Sequence, residues 1–497
     1  MQSISSLTLF RLSVVATLLA STAVPLTAAP RKPPAGAVQI AAATIASLPD
    51  FVDGVLAQQI ATRDVGGAVV TIVYRGKVLF TRGYGLADAE RGIKVDAQHT
   101  MFRPGSVSKL FTWTALMQQI EAGRVDLDAD VNRYLDYKIP DGKFKPITVR
   151  DLFSHAVGFG DQSNITVDDA AGLMPYREWM KKNIAMRVRE PGEEISYSNY
   201  GAALAGYIVE RVSGEPFADY TERHIFKPLG MIDTTFREPL DAARAPRMAK
   251  GYKLESGRLV AKPFEFYSII MPAGSATTTA PDMTRFILMM LNEGKLGTTQ
   301  ILKPQSVRFL ESDGLRNAPD LEGFAHGYMV LRQAGPRIVG HGGNTVDFHS
   351  ELAIAPEAQF GFFVSYTGGP GSYPARTEAM NAIIGRVFPQ TPTQRWTARR
   401  DVPPLGAYRS NRQDYSQPPL PGYDLKISAE GDHGIVIERA GVKSYWEQIG
   451  ARIYEQVTGV RAGGPYDRIE FYGPADDPRM SYASEPHVLY RLVPEGK

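Results

Sequence analysis

A serine and a lysine three residues apart form the segment of this sequence with the most evident chemistry. Ser106-Val-Ser-Lys109 directly follows a Pro-Gly break and is the only Ser-x-x-Lys in the chain. At positions i and i+3 of a helix the hydroxyl and the amine share one face, and unpaired N–H groups at a helix N-terminus can stabilise an oxyanion. A lysine buried on an apolar helix must lose its charge or find partners, which is the condition for base chemistry. The pattern predicts a nucleophile with its base. The alternative is that Ser106 only caps a helix and Lys109 lies at the surface.

Two further segments could face the same cleft. Tyr197-Ser-Asn199 has a phenol and an amide two residues apart, so both can project from one loop. Gly340-His-Gly-Gly-Asn344 has consecutive glycines, which let a substrate approach the backbone closely. Taken alone, each segment is also compatible with a simple turn, the first with a packed tyrosine and the second as a glycine-rich hairpin.

Composition and missing motifs exclude several other chemistries. The 497-residue chain has no cysteine, so disulfides, thiolate metal sites and a cysteine nucleophile are excluded. It has no Gly-x-x-x-x-Gly-Lys-Ser/Thr, His-Glu-x-x-His or Gly-x-Ser-x-Gly, so nucleotide hydrolysis, zinc proteolysis and the α/β-hydrolase design lose support. A net charge of +2 lacks the strong basic field that holds nucleic acid or an anionic membrane, and we expect neither as a partner.

Hydrophobic periodicity predicts the elements that must position these residues. A helix is predicted over residues 45–60, followed by strands at 67–74 and 78–85. Helical signals dominate from about 106 to 225, and strands return at 351–355 and 360–366 before a last helix near 375–387. Strands at both ends of a region that encloses helices predict one sheet assembled from distant segments and flanked by an all-helical lobe, an α/β (α+β) fold.

The two ends of the chain differ from this central region. Residues 1–29 read as a signal peptide, with one charge before an apolar run and small residues after it, and the alternative is an uncleaved membrane anchor. We therefore expect the protein to be periplasmic or secreted, in a bacterial cell envelope, with no later segment that spans the membrane. Residues 30–44 and 389–404 read as linkers, and residues 405–497 as a small all-β module, in which we expect His487 to be an ordinary loop or strand residue.

Taken together in this order, the segments resemble the serine β-lactamase and penicillin-binding protein superfamily, particularly class C β-lactamases and family VIII esterases. The resemblance covers residues 45–388, with the helical lobe at about 106–265. Further matching segments are Gly83-Tyr-Gly-Leu-Ala-Asp88, Phe102-Arg-Pro-Gly105, Asp151-Leu-Phe-Ser-His-Ala-Val-Gly158, Pro228-Leu-Gly-Met231 and Pro272-Ala-Gly-Ser-Ala276.

The resemblance implies a catalytic role for three residues. Ser106 would be the acylated nucleophile, Lys109 would hold its proton, and Tyr197 would be the general base and later the acid for the leaving group. A phenol can act as a base near neutral pH only if adjacent ammonium charge favours the phenolate, which Lys109 would supply.

The resemblance also implies the substrate site. The oxyanion hole would consist of the backbone N–H groups of Ser106 and Asn344. We read His155 as structural. The implied substrate-binding residues are Asn199, His341, Gly342 and Gly343.

The sequence departs from the family pattern at His341, where β-lactamases and most penicillin-binding proteins carry a lysine that recognises the substrate carboxylate. A neutral imidazole has no permanent charge, which favours esters and neutral amides or peptides over β-lactams and peptidoglycan stems. With its ordinary pKa of about 6.5, His341 would be largely neutral at pH 7.5 and largely charged at pH 5.5.

We therefore expect an exported serine hydrolase that works through an acyl-enzyme on an ester or on an amide or short-peptide bond, as an esterase or D-residue peptidase. It would need no cofactor and no metal, and peptidoglycan-derived substrates stay open. The alternatives are a β-lactamase or D-Ala-D-Ala carboxypeptidase, and, from another class, a non-catalytic envelope binding or scaffold protein with the same fold.

Overall fold

The computed structural model describes residues 38–62, 65–167, 169–332, 335–369, 371–390, 402–418, 424–432, 434–458 and 467–494. The predicted signal peptide, residues 1–29, lies outside these ranges, as does the larger part of each predicted linker, 30–44 and 389–404.

The helices and strands of the described residues form two regions that follow one another along the chain. The helices are α1 (Ala42–Thr62), α2 (Lys109–Glu121), α3 (Val149–Phe153), α4 (Tyr176–Lys182), α5 (Asn199–Ser213), α6 (Phe217–Thr221), α7 (Lys227–Leu229), α8 (Ala280–Leu291), α9 (Pro304–Glu311) and α10 (Ser372–Val387). The strands of the first region are β1 (Val65–Tyr74), β2 (Lys77–Asp88), β3 (Ile93–Lys94), β4 (Gly251–Glu255), β5 (Arg258–Lys262), β6 (Lys295–Leu296), β7 (Thr299–Gln300), β8 (Asp313–Leu315), β9 (Phe324–Ala325), β10 (Met329–Arg332), β11 (Ile338–Asn344), β12 (Phe348–Ala355) and β13 (Phe360–Gly368).

The main sheet joins segments from both ends of the first region. Its strand order is β3-β2-β1-β13-β12-β11-β10-β9-β8, and β1 pairs antiparallel with β13. Strands β12 and β13 are buried throughout, and apolar side chains predominate in both. Helices α1 and α10 pack on one face, while α8 and the lobe that contains α2 and α5 pack on the other. The predicted α/β (α+β) architecture, one sheet flanked by helices, is confirmed.

Helix α1 shows how the sequence specifies this packing. Leu48, Val52 and Leu56 recur every four residues and are buried against the sheet. The Gln59 side-chain amide donates to the Ala375 carbonyl at 2.9 Å and ties α1 to α10. The helix begins at Ala42, three residues before the predicted start of the domain.

The lobe between β3 and α8 packs α2 and α5 together around a large apolar core. One feature differs from the predicted all-helical lobe: strands β4 and β5 form a hairpin within residues 106–265. Among the described residues, no helix is both long and apolar enough to cross a lipid bilayer.

The second region is a closed antiparallel barrel of eight short strands in the described part of the chain. The strands are β14 (Gly406–Ser410), β15 (Asp424–Glu430), β16 (Gly434–Arg439), β17 (Val442–Gln448), β18 (Ile453–Thr458), β19 (Arg468–Tyr472), β20 (Arg479–Tyr482) and β21 (Tyr490–Leu492). Large side chains such as Tyr408, Trp446 and Tyr490 form its buried core. The predicted all-β module is confirmed, although β14, β17 and β20 carry few apolar residues and had no clear signal in the sequence.

Candidate active site

The candidate nucleophile, Ser106, lies in a 3-10 turn, Gly105–Ser108, that leads directly into α2. Gly105 has a φ of 55°, a conformation that suits glycine. A Cβ added to this glycine would lie 2.8 Å from the backbone nitrogen of Asn344. The Ser108 hydroxyl donates to the Gly105 carbonyl at 2.5 Å and closes the turn. The turn therefore holds Ser106 at the start of a helix and against strand β11.

Lys109 is fully buried at the first position of α2, and three oxygen atoms lie within hydrogen-bond distance of its amine. Its Nζ lies 3.0 Å from Ser106 Oγ, 2.9 Å from Asn199 Oδ1 and 2.6 Å from the Ala273 carbonyl oxygen. The amide and carbonyl oxygens can only accept. A neutral amine has two N–H donors, so it satisfies both and keeps its lone pair for the serine hydroxyl. Burial, reinforced by the charge of Arg412, lowers the pKa of Lys109 well below its ordinary value.

Tyr197 lies in the loop before α5, and Asn199 is the first residue of that helix. Ser198 caps the helix by accepting a hydrogen bond from the Gly201 N–H at 3.0 Å. Both flanking side chains reach Lys109, the amide of Asn199 by its hydrogen bond and the Tyr197 ring with its centroid 4.9 Å from Nζ. The structure thus brings together the residues that the sequence analysis singled out in two separate segments.

The electrostatics of Tyr197 correct one expectation. Burial raises the pKa of Tyr197 well above its ordinary value, and the nearby Ser106 hydroxyl and the Arg412 charge oppose this only in part. A phenolate stabilised by ammonium charge on Lys109 is therefore disfavoured, because two separated charges would both have to be desolvated. The arrangement favours a neutral amine beside a neutral phenol, so that Lys109 is able to accept a proton and Tyr197 is able to donate one.

Strand β11 contains the predicted substrate-binding residues His341, Gly342 and Gly343. It pairs with β12 from Val339 to Asn344, whereas its pairing with β10 ends at Gly340. Beyond that point its other edge lies against the turn that carries the nucleophile. A substrate in the cleft can therefore meet strand backbone beside Ser106.

Gly343 makes the close approach of the two chains possible. A Cβ at this position would overlap the Pro104 carbonyl oxygen and would lie 3.0 Å from the backbone nitrogen of Ser106. Any larger residue would therefore push β11 away from the nucleophile turn.

The direction of the Asn344 N–H follows from the hairpin that joins β11 to β12. The Thr345 N–H donates to the Phe348 carbonyl at 2.9 Å, so the next pair, Asn344 with His349, is not hydrogen-bonded within the ladder. The Asn344 N–H consequently points away from β12, on the side where Gly105 approaches it. This geometry suits the predicted oxyanion hole between the backbone N–H groups of Ser106 and Asn344.

His341 is completely buried, and its protonation differs from the expectation. Its Nδ1 lies 2.6 Å from the Gly342 carbonyl oxygen, which can only accept, so Nδ1 carries the proton and Nε2 is an acceptor. Nε2 has no hydrogen-bond partner among the described residues. Burial, together with the Lys109 charge, lowers the pKa of His341 to about 3. The expectation that it becomes largely charged at pH 5.5 is therefore wrong.

His155 lies beside Tyr197 rather than in a helix. It follows α3 with a φ of 51°, and its ring stacks on the Tyr197 ring at a centroid distance of 4.2 Å. Its Nδ1 accepts a hydrogen bond from the Ser198 N–H at 3.2 Å. We read this residue as structural from its surroundings in the sequence, whereas the structure shows that it forms part of the wall around Tyr197.

Two residues of the barrel also reach the site. The guanidinium carbon of Arg412 lies 4.8 Å from the centroid of the Tyr197 ring, and the His487 ring centroid lies 5.6 Å from it. His487 was predicted to be an ordinary loop or strand residue, and nothing in the sequence indicates that it or Arg412 contacts Tyr197. Neither belongs to a recognisable motif, because their proximity to Tyr197 depends on how the barrel docks.

The sequence model of the Beta-lactamase family matches residues 52–384. Protein flp of Staphylococcus aureus (strain N315) is 26% identical over 341 residues, which is 67% of this chain and 66% of that protein. The match thus spans slightly less than two thirds of this relative's length.

Solved structures resemble both regions of the chain. The octameric penicillin-binding protein homologue from Pyrococcus abyssi aligns with a TM-score of 0.62 and 21% identity, covering 89% of this chain and 99% of that one. SurE aligns with a TM-score of 0.64 and 21% identity, covering 90% and 99%. EstCE1, described as a hydrolase with promiscuous acyltransferase activity, aligns with a TM-score of 0.56 and 24% identity over 69% of this chain and 100% of its own. At these identities the likeness establishes the fold alone.

Proposed function

Because this chain belongs to the beta-lactamase family of serine hydrolases, we propose that it is an exported enzyme that cleaves ester or neutral amide bonds through an acyl-enzyme on Ser106. One observation carries the proposal: the amine of Lys109, whose pKa burial lowers well below its ordinary value, lies 3.0 Å from Ser106 Oγ, and its two other neighbours, the Asn199 and Ala273 oxygens, can only accept. In its neutral form the amine donates to these two oxygens and keeps its lone pair for the Ser106 hydroxyl. A serine so activated is a nucleophile.

In the acylation step, Ser106 Oγ bonds to the substrate carbonyl carbon while its proton passes to Lys109 Nζ. The negative charge that develops on the carbonyl oxygen is stabilised by the N–H groups of Ser106 and Asn344. The bond to the leaving group then breaks as the Tyr197 hydroxyl protonates it, and Tyr197 regains a proton from the ammonium of Lys109.

Deacylation uses the same groups in reverse. Water attacks the ester carbonyl of acylated Ser106, its proton passes to the Lys109 and Tyr197 pair, and the serine oxygen leaves with a proton from that pair. The products are the free carboxylic acid and the restored enzyme.

The substrate class follows from His341. A buried imidazole that stays neutral offers a hydrogen-bond acceptor to the substrate and no charge for a carboxylate. Carboxylic esters and neutral amides or short peptides, including those with D-residues, are therefore favoured over β-lactams and peptidoglycan stems.

The test combines labelling with a substrate panel. We expect a fluorophosphonate probe to form its adduct on Ser106, and we expect the wild-type protein to turn over p-nitrophenyl esters or D-amino acid amides faster than a chromogenic cephalosporin. Ser106→Ala should abolish labelling and turnover while costing only about 1 kcal/mol of stability, as for loss of its hydrogen bond with Lys109. An adduct on Ser108 or Ser275 would contradict the assignment, and a wild-type protein that neither labels nor turns over would favour a binding or scaffold role.

Export is the second part of the proposal, and it rests on the amino-terminal 29 residues. We propose that the enzyme works in the periplasm or outside the cell. Fractionation of an expressing bacterium, with mass measurement of the mature protein, should find the chain outside the cytoplasm and shortened at its amino terminus. Recovery of an intact chain from the cytoplasm would contradict export.

A further inference from the structure

The barrel packs directly on the segment that contains Tyr197. The buried Asn411 donates its side-chain amide to Glu194 Oε1 at 3.0 Å, and the Ser196 hydroxyl donates to the Asn411 carbonyl at 3.3 Å. The backbone N–H of Tyr197 itself donates to the His487 carbonyl at 3.1 Å. The loop that presents the tyrosine is therefore held in part by hydrogen bonds from a region more than two hundred residues away.

Arg412 follows Asn411 and lies over the Tyr197 ring. Its Nε donates to Asp161 Oδ2 at 2.8 Å, and the Asp161 N–H in turn donates to the Gln413 carbonyl at 2.9 Å. This reciprocal pair of contacts fixes the arginine to the hydrolase region, which is the first of the two structural regions, and fixes the loop of residues 411–413 beside the cleft. A guanidinium over an aromatic face is a favourable arrangement in its own right.

We propose that the barrel completes the active site: through Arg412 it supplies a positive charge that acts on the Tyr197 and Lys109 pair, which makes Arg412 a positioning residue of the hydrolase. This inference rests on the proposed function of that pair in accepting the Ser106 proton.

Charged and titratable groups approach Tyr197 from several elements. They are Lys109 on α2, His155 after α3, Asp161 in the loop beyond it, His341 on β11, and Arg412 and His487 from the barrel. Burial lowers the pKa of both His155 and His341, so these two rings carry no charge at neutral pH.

The charge of Arg412 shifts the pKa values of Lys109 and Tyr197 in the same direction. It lowers the pKa of Lys109 and that of Tyr197, while Asp161 raises both. Whichever of the two accepts the serine proton, the arginine therefore favours its deprotonated, reactive form.

The experiment measures the second-order rate at which a fluorophosphonate labels Ser106 from pH 5 to pH 9.5. Labelling forms the Oγ–P bond, releases fluoride and passes the serine proton to the Lys109 and Tyr197 pair, so its acidic limb reports the pKa of that pair. We expect Arg412→Gln to move the midpoint of this limb upward by about one pH unit, with about tenfold slower labelling below it and convergence towards wild type above it. Arg412→Lys keeps the charge and should keep the midpoint near that of wild type.

Two further variants test the direction of the shift and its specificity. Asp161→Asn keeps an acceptor for the Arg412 Nε but removes the opposing charge, and it should move the midpoint downward. Arg452→Gln is the matched control, because it breaks another ion pair between barrel and hydrolase region, with Asp320 at 3.1 Å, without facing Tyr197. It should leave the midpoint unchanged.

The possible outcomes separate this inference from the proposed function. If Arg412→Gln labels normally, or loses the same factor at every pH, then Arg412 does not act through the catalytic pair and the inference is overturned. If Arg412→Gln fails to fold, an unmoved midpoint in Asp161→Asn overturns it equally. If the wild-type protein is not labelled at Ser106 at any pH, the proposed function itself fails.

Discussion

The His341→Gln variant should lose less stability in acid than the wild-type protein. The histidine is buried beside Lys109, and its pKa is about 3 in the folded protein. In the unfolded chain the same group has its ordinary pKa of about 6.5. The folded state therefore binds fewer protons than the unfolded state between these two values. Through this group, the free energy of unfolding is at its full value above pH 6.5 and decreases as the pH falls below it.

The size of the effect follows from linkage. Each pH unit below 6.5 costs about 1.4 kcal/mol while the folded histidine stays neutral, so acidification from pH 7.5 to pH 5 costs about 2 kcal/mol through this residue. His349 on the neighbouring strand, whose pKa burial also lowers to about 3, adds a similar loss in both proteins. The difference between wild type and His341→Gln isolates the single residue.

Urea unfolding at pH 7.5 and pH 5 measures this difference. We expect the free energy of unfolding of His341→Gln to fall by about 2 kcal/mol less than that of wild type over this interval. Equal losses in His341→Gln and wild type would refute the assignment of a buried, neutral imidazole.

Three other predictions concern catalysis. The double change Lys109→Ala with Tyr197→Phe should lower kcat/KM little more than the worse single change, because the two groups act on one proton; additive losses would indicate independent roles. The ratio of kcat/KM for an ester with a free carboxylate to that for a matched neutral ester should stay flat from pH 7.5 to pH 5.5, and a ratio that rises in acid would show that His341 gains charge in the cleft. Gly343→Ala should lower kcat by about 10²- to 10³-fold with an unchanged circular dichroism spectrum, since its Cβ would separate β11 from the nucleophile turn; wild-type kcat would contradict an oxyanion hole at this contact.

The features that can be predicted from the sequence are those set by local structure. If a helix begins at this segment, Ser106 and Lys109 lie on the same face of it, because three residues are close to one helical turn. Tyr197 and Asn199 were expected to project from one loop, whereas Tyr197 lies just before α5 and Asn199 is the first residue of that helix. The apolar residues of β12 and β13 predict these two strands of the sheet.

What the sequence could not reveal depends on burial and on distant contacts. The charge state of His341 follows from its complete burial beside Lys109, which no neighbour in the sequence indicates. The positive φ of His155, which turns its ring onto Tyr197, is a property of the turn after α3. Arg412 reaches the site only because the barrel docks where it does.

The hydrogen bond from the Tyr197 N–H to the His487 carbonyl has a consequence for how the protein is made. Chains are synthesised from the amino terminus, so the nucleophile, the lysine and the tyrosine emerge long before the barrel. A chain that is cut or stalled before residue 411 retains all three of these groups but lacks the contacts that hold the tyrosine loop from the carboxyl side. The loop that presents Tyr197 therefore acquires its hydrogen bond to the carboxyl-terminal region only after the last strands of the barrel have been synthesised.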